Sequence, residues 1–144
     1  MKTRLLVMVV ILVSAAVVGC ISGPGSRPAR KTIQVSMDDV LKQGVIGQDV
    51  TLAVGGTFKL MLGSNHTTPY DWTADARIGD PAILKQTSHD YVRSDSAAMG
   101  APGAEVWMFT ALKAGTTTIV TDYTSVVGSD PMPACTFTAR VTVQ

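Results

Sequence analysis

The stretch that decides the fold runs over residues 57–72 and reads TFKLMLGSNHTTPYDW. In its first half, Phe58, Leu60 and Leu62 alternate with threonine, lysine and methionine. A two-residue period of this kind is typical of a strand with one face against a core. The alternation halts at Gly63, so we predict that the strand ends there and that a loop begins.

A stiff polar loop is predicted immediately after this strand. The Asn65 side chain can hydrogen-bond its own backbone, and Pro69 fixes φ at about −65°, so the segment needs neither a metal nor a disulfide to hold its shape. The two threonines at 67–68 are then left at the tip. Tyr70 and Trp72 have the same parity, and we predict that both rings point inward and fasten the base of the loop to the core.

The composition indicates one domain rich in β-structure. The chain has 144 residues, enough for one substantial core once a leader is removed. Twelve basic and 11 acidic residues leave a net charge of +1, so no nucleic-acid partner is predicted. Only 16% of the residues are charged, and threonine and valine recur throughout, which favours strands over solvated helices.

Strand patterns recur along the rest of the chain, with turn signals between them. Gly55-Gly56 predicts a hairpin, and Trp107 lies on a strand that is apolar on both faces and therefore central. The stretch 38–42 is compatible with a single helical turn and is left open. The predicted fold is an all-β, immunoglobulin-like β-sandwich of about seven or eight strands. The clearest strand segments are 33–37, 50–54, 105–111, 116–123 and 137–143, and two further exposed loops are predicted at 94–103 and 124–133.

Residues 1–20 have the anatomy of a secretory signal. A short basic start precedes an apolar run of about 14 residues, which is shorter than the roughly 20 that a helix needs to cross a bilayer. The run ends in Val17-Val18-Gly19-Cys20, which resembles a bacterial lipoprotein lipobox. That resemblance implies that Cys20 carries a lipid and anchors the chain on the extracytoplasmic face of a bacterial membrane, in the cell envelope. The alternative is an ordinary signal peptide that happens to contain a cysteine.

We therefore divide the chain into a lipoprotein signal peptide over 1–20, a flexible tether over 21–31 and a β-sandwich domain over 32–144. The tether is rich in serine, glycine and proline. With Cys20 acylated, Cys135 would be the only remaining thiol, so no intrachain disulfide is predicted. Cys135 opens a strand-like run with no histidine nearby in sequence, which favours a buried structural cysteine over a nucleophile.

From about Val50 to the C-terminus the chain resembles the chagasin family of cysteine-protease inhibitors. That family carries a loop of the form Asn-Pro-Thr-Thr-Gly-Tyr-x-Trp, and residues 65–72 are similar to it. The matching positions are Asn65, Thr67, Thr68, Tyr70 and Trp72. A second family loop, Gly-x-Gly-Gly before an aromatic strand, is similar to the residues at 100–103 that precede Trp107.

The resemblance implies an immunoglobulin-like fold whose three loops at one end enter the cleft of a papain-like cysteine protease and block it without covalent chemistry. In the family, glycine stands at the places of Pro69 and Pro102, and Arg-Pro-Trp occupies the third loop. The implied contact residues are Asn65, His66, Thr67, Thr68, Pro69 and Tyr70 in the first loop, Gly100, Ala101, Pro102 and Gly103 in the second, and Ser125, Val126 and Val127 in the third.

Two other functions stay open at this point. One is a surface-tethered binding module that keeps the fold but has no inhibitory activity, and the other is an enzyme that uses Cys135. His66 and His89 could ligate a metal together with Asp71 or Asp90, but two histidines so far apart without a motif are usually surface residues. We expect a monomer that is not an enzyme, with no metal and no cofactor.

Overall fold

The structure is a computed structural model that describes residues 29–128 and 132–144. The predicted signal peptide, Cys20 and most of the predicted tether lie outside these ranges. No helix in the described ranges is both long enough and apolar enough to cross a membrane. The elements are β1 (Arg30–Val35), α1 (Met37–Lys42), β2 (Val45–Leu52), β3 (Thr57–Ser64), β4 (Tyr70–Trp72), β5 (Arg77–Ile78), β6 (Leu84–Val92), β7 (Gly103–Ala111), β8 (Gly115–Ser125) and β9 (Cys135–Val143).

The strands form two sheets. The first has the order β1-β3-β7-β6, and the second has the order β2-β9-β8-β4, with β5 also paired to β8. Most neighbours are antiparallel, but β1 runs parallel to β3 and β2 runs parallel to β9. This arrangement confirms the predicted immunoglobulin-like β-sandwich.

The core lies between the two sheets and is built from the residues that alternate along the strands. Phe58, Leu60 and Leu62 on β3 are all buried, as their spacing predicted. Leu60 faces Trp107 across the β3–β7 ladder, and Trp107 is fully buried in the centre of the first sheet. The ring of Phe58 stacks on that of Phe109 at a centroid distance of 5.7 Å. Strand β9 supplies alternating buried residues from the second sheet.

The stretch 38–42, for which no structure was predicted, lies in the short helix α1. Ser36 caps it, because its hydroxyl oxygen accepts a hydrogen bond from the Asp39 backbone amide at 3.1 Å. Val40 is the buried residue of this helix. The N-terminus of α1 lies so close to β3 that a side chain at Gly63 would collide with the backbone of Met37.

The strand count and several boundaries differ from the sequence prediction. Nine strands are present in the described ranges, because Arg77 and Ile78 form a short strand against β8 where the pattern predicted only a strand end. The turn at Gly55-Gly56 is not a hairpin, since it joins β2 in one sheet to β3 in the other. Strand β1 begins at Arg30, inside the predicted tether, because the chain there already pairs with β3.

Leucine-to-alanine substitutions at two sites test where the core lies. We expect Leu60→Ala to lower the free energy of unfolding by about 2–5 kcal/mol, because the leucine is fully enclosed and leaves a cavity. The same change at Leu41, which is 70% exposed on α1, should alter it by less than about 0.5 kcal/mol. Denaturant unfolding measures both, and equal effects would contradict this location of the core.

Candidate functional site

Three loops meet at one end of the sandwich. The first loop (65–69) joins β3 to β4, the second (93–102) joins β6 to β7, and the third (126–134) joins β8 to β9. Antiparallel pairing brings the loops together. Ser64 faces Gly103 in the β3–β7 ladder, and Tyr70 faces Ser125 in the β4–β8 ladder. Residues 129–131 of the third loop lie outside the described ranges.

The side chain and main chain of Asn65 shape the first loop. Its Oδ1 accepts hydrogen bonds from the Thr67 amide at 3.1 Å and from the Thr67 hydroxyl at 2.7 Å. Its main-chain oxygen accepts from the Thr68 amide at 3.0 Å and from the Thr68 hydroxyl at 2.8 Å. Both threonines are exposed at the surface while their hydroxyl hydrogens are donated back into the loop. The threonine pair is therefore held in one arrangement by four local hydrogen bonds.

Hydrogen bonds also connect the first loop to both of its neighbours. Asn65 Nδ2 donates to the Gly100 carbonyl in the second loop at 3.3 Å. The Val126 amide in the third loop donates to the Pro69 carbonyl at 2.8 Å. Gly100 has a φ of +76°, a conformation that glycine adopts at little cost. No non-glycine residue in the described ranges has positive φ, so proline fits at position 69.

A cluster of aromatic side chains supports the first loop from below. The Trp72 ring is buried, packs edge-on against Trp107 and donates from Nε1 to the Gly63 carbonyl at 2.9 Å. Tyr70 contacts the core as predicted, because its ring stacks on that of the buried Tyr123 at 5.7 Å, but at 36% exposure it is enclosed less than Trp72. Tyr70 is the first residue of β4 and lies next to the loops, whereas Trp72 lies two residues further into the sandwich.

A polar cluster lies beside this aromatic support. His66 Nε2 lies 2.5 Å from Glu105 Oε1 and 3.6 Å from Asp71 Oδ1, and its ring stacks on Tyr91. The other oxygen of Glu105 lies 2.7 Å from His89 Nε2, although the ring nitrogen is not aligned for a hydrogen bond. The sequence reasoning missed Glu105, whose only signal was a lone charge at the start of an otherwise apolar strand.

The remaining predicted contact residues lie at the same end. Gly103 is the first residue of β7 rather than part of a loop, and a side chain there would collide with Tyr91 and the Val92 carbonyl. Ser125 is the last residue of β8, so the third loop begins later than the predicted position 124. Beyond it, Val126 and Val127 are exposed, which gives the described part of this loop an apolar surface.

Cys135 has a structural role. It is fully buried at the start of β9, opposite Tyr123 in the ladder with β8. Burial raises the pKa of its thiol above the ordinary value, which disfavours the reactive thiolate. A catalytic cysteine would need to be accessible and to have a lowered thiol pKa.

A comparison with protein families decides the assignment. The model of the family described as chagasin family peptidase inhibitor I42 matches residues 51–141. The chain belongs to the chagasin family. Members of that family are peptidase inhibitors and not enzymes, so this chagasin-family protein is an inhibitor that does not use Cys135 for catalysis. No curated protein matches the chain in sequence.

Solved structures share the fold. The cysteine protease inhibitor EhICP2 from Entamoeba histolytica superposes with a TM-score of 0.63 at 17% identity, over 81% of this chain and 99% of that one. PbICP-C, solved in complex with falcipain-2, gives a TM-score of 0.58 at 18% identity, over 80% and 98%. Amebosin gives a TM-score of 0.50 at 24% identity, over 69% of this chain and 98% of that one.

Alkylation tests the environment of Cys135. We expect iodoacetamide at pH 8 to leave Cys135 unmodified in the native chain, because the thiol is enclosed and burial raises its pKa. In denaturant the same thiol should react fully. Peptide mapping by mass spectrometry separates Cys135 from Cys20, and rapid native labelling of Cys135 would show that the thiol is open to solvent.

Proposed function

We propose that this chagasin-family protein inhibits papain-like cysteine proteases by placing its three loops in the active-site cleft, with the threonines at 67–68 at the tip. The observation that carries the proposal is the double connection of the first loop. It is bonded to the second loop through Asn65 and to the third through Pro69. The described parts of the three loops are thus joined to one another. The complex of the related PbICP-C with falcipain-2 supports a protease of this class as the partner.

Inhibition of this kind requires stiffness rather than reactivity. A loop that is ordered before docking loses little conformational entropy on binding, so more of the contact energy appears as affinity. The four hydrogen bonds around Asn65 and the fixed φ of Pro69 both act in this direction. The same order keeps the peptide bonds of the first loop from adjusting to the geometry that nucleophilic attack needs.

The third loop departs from the chagasin-family pattern. In place of Arg-Pro-Trp it has Ser125 followed by the exposed Val126 and Val127. We infer that this loop contacts the protease through apolar burial, without the arginine charge or the large aromatic anchor. Glycine at positions 69 and 102 of the family pattern is replaced here by proline, which adds stiffness to both other loops.

The direction of the chain fits attachment to a membrane through Cys20. Strand β1 is parallel to β3, and its first residue, Arg30, faces Thr57 at the end of the sandwich far from the loops. The loops follow Ser64, at the other end of β3. We propose that a lipid on Cys20 and the tether hold a monomeric domain at the extracytoplasmic face of a bacterial membrane, with the loops directed away from it.

A charge-introducing pair of substitutions tests the loop surface. We expect the wild-type chain to inhibit papain with a nanomolar to micromolar constant. Thr67→Glu with Thr68→Glu should weaken inhibition by about 30-fold or more, which corresponds to about 2 kcal/mol, because two charges would have to be buried in the cleft. The matched control, Thr51→Glu with Thr116→Glu, alters exposed threonines far from the loops and should change the constant less than about threefold.

Steady-state titration of papain gives the inhibition constants of the wild type, the loop variant and the control variant. A wild-type chain that does not inhibit papain or another papain-like protease, or a loop variant that inhibits as well as the control, would contradict the proposed function.

Fractionation tests the membrane attachment separately. In a bacterial host that processes lipoproteins, we expect the wild-type chain in the membrane fraction with a fatty-acylated Cys20 by mass spectrometry. Cys20→Ser should move it to the soluble fraction. A wild-type chain that is cleaved and released without acylation would instead support the ordinary signal peptide.

A further inference from the structure

We propose that His66, Asp71 and Glu105 form a binding site for a divalent transition-metal ion of the zinc class at the root of the first loop. Their ligand atoms come from the first loop, β4 and β7, and all lie within 4.8 Å of one another. One imidazole nitrogen and two carboxylate oxygens are a donor set that Zn²⁺ accepts in proteins.

The burial of Glu105 is the first reason to expect a cation here. The residue is 1% exposed, and a buried carboxylate is costly unless a positive charge or several hydrogen bonds compensate it. Within the described ranges, the groups at ion-pair distance from it are the rings of His66 and His89, with no lysine or arginine. One carboxylate oxygen, Oε2, has no aligned hydrogen bond. A metal ion bound to the other oxygen, Oε1, would place a fixed positive charge at this buried carboxylate.

The position of His66 is the second reason. Its Nε2 faces two carboxylate oxygens, 2.5 Å away on Glu105 and 3.6 Å away on Asp71. A single N–H cannot donate well to both, whereas an ion between the three atoms would be bound by all of them. Stacking on Tyr91 keeps the imidazole plane turned towards this point.

The geometry needs only a small adjustment to accept the ion. Ligand bonds of about 2.0–2.2 Å place the donor atoms of a tetrahedral site roughly 3.3–3.6 Å apart. His66 and Asp71 already have this separation, the His66 to Glu105 contact must open by about 1 Å, and the Asp71 and Glu105 oxygens, which lie within 4.8 Å of each other, must close to about 3.6 Å. The side chains of His66 and Asp71 are 42% and 44% exposed, so they can move while Glu105 stays fixed. Their exposure also leaves the fourth position open to water.

His89 lies beside the carboxylate oxygen of Glu105 that does not face His66. Its ring packs against Trp107, and its Nε2 lies beside Glu105 Oε2, which leaves Oε1 turned towards His66. The ion itself would join the first loop to both sheets of the sandwich, since β4 belongs to one and β7 to the other.

Metal titration of the purified full chain, without protease, tests the proposal. After treatment with a chelator and its removal, isothermal titration should show one Zn²⁺ per chain. Mg²⁺ and Ca²⁺ should give no saturable binding at the same concentrations, because they prefer six or more oxygen ligands. His66→Gln and Asp71→Asn should each weaken Zn²⁺ binding by about tenfold or more. Asp49→Asn, an exposed carboxylate on β2, is the matched control and should bind as the wild type does.

Co²⁺ provides a readout that does not depend on the variants. A four-coordinate site gives intense visible absorption, whereas Co²⁺ on a solvated surface gives only weak bands. No saturable Zn²⁺ binding, or only weak Co²⁺ bands, would overturn the proposal. Equal binding by the wild type, His66→Gln and Asp71→Asn would also overturn it. Because no protease is present, these outcomes are independent of whether the chain inhibits papain.

Discussion

The side chain of Asn65 is the constraint on which the functional end of the molecule depends. Its carbonyl oxygen holds Thr67, and its amide nitrogen reaches the Gly100 carbonyl, so one residue both folds the first loop and joins it to the second. Asparagine alone among the polar residues of similar size offers an acceptor and two donors on one short planar group. Replacing it with aspartate keeps the acceptor and removes the connection to the second loop.

The scaffold converts this local order into a fixed surface. Trp72 is buried below the first loop, donates to the Gly63 carbonyl and packs edge-on against Trp107, so the base of the loop is fastened by packing and by a hydrogen bond. The antiparallel ladders set the other loops at fixed distances from it. The described part of the third loop is apolar and the first loop is polar, and the strands of one sandwich hold both.

Local sequence patterns predicted the parts of the structure that local geometry determines. The alternation at Phe58, Leu60 and Leu62 identified β3 and its buried face, because a two-residue period reports directly on which side chains face the core. The capacity of Asn65 to bond its own backbone identified the loop for the same reason. Both are properties of contiguous residues.

The sequence did not reveal features that depend on which strands become neighbours. The 36% exposure of Tyr70 was not predicted, because parity gives the face of a strand on which a residue lies and not its distance from the end of the sandwich. Glu105 was missed because its partners, His66 and His89, come from the first loop and from β6. The parallel pairing of β1 with β3 was equally invisible, since β2 lies between them in sequence but joins the other sheet.

The inhibition constant of Asn65→Ala against papain, measured beside its free energy of unfolding, tests the central claim most directly. We expect inhibition to weaken by about tenfold or more, because the threonine pair and the second loop lose their common support. Stability should fall by only about 1 kcal/mol, since the lost hydrogen bonds lie at the surface and the core is unchanged. Inhibition equal to that of the wild type would show that the ordering of these loops by Asn65 is not what makes the protein an inhibitor.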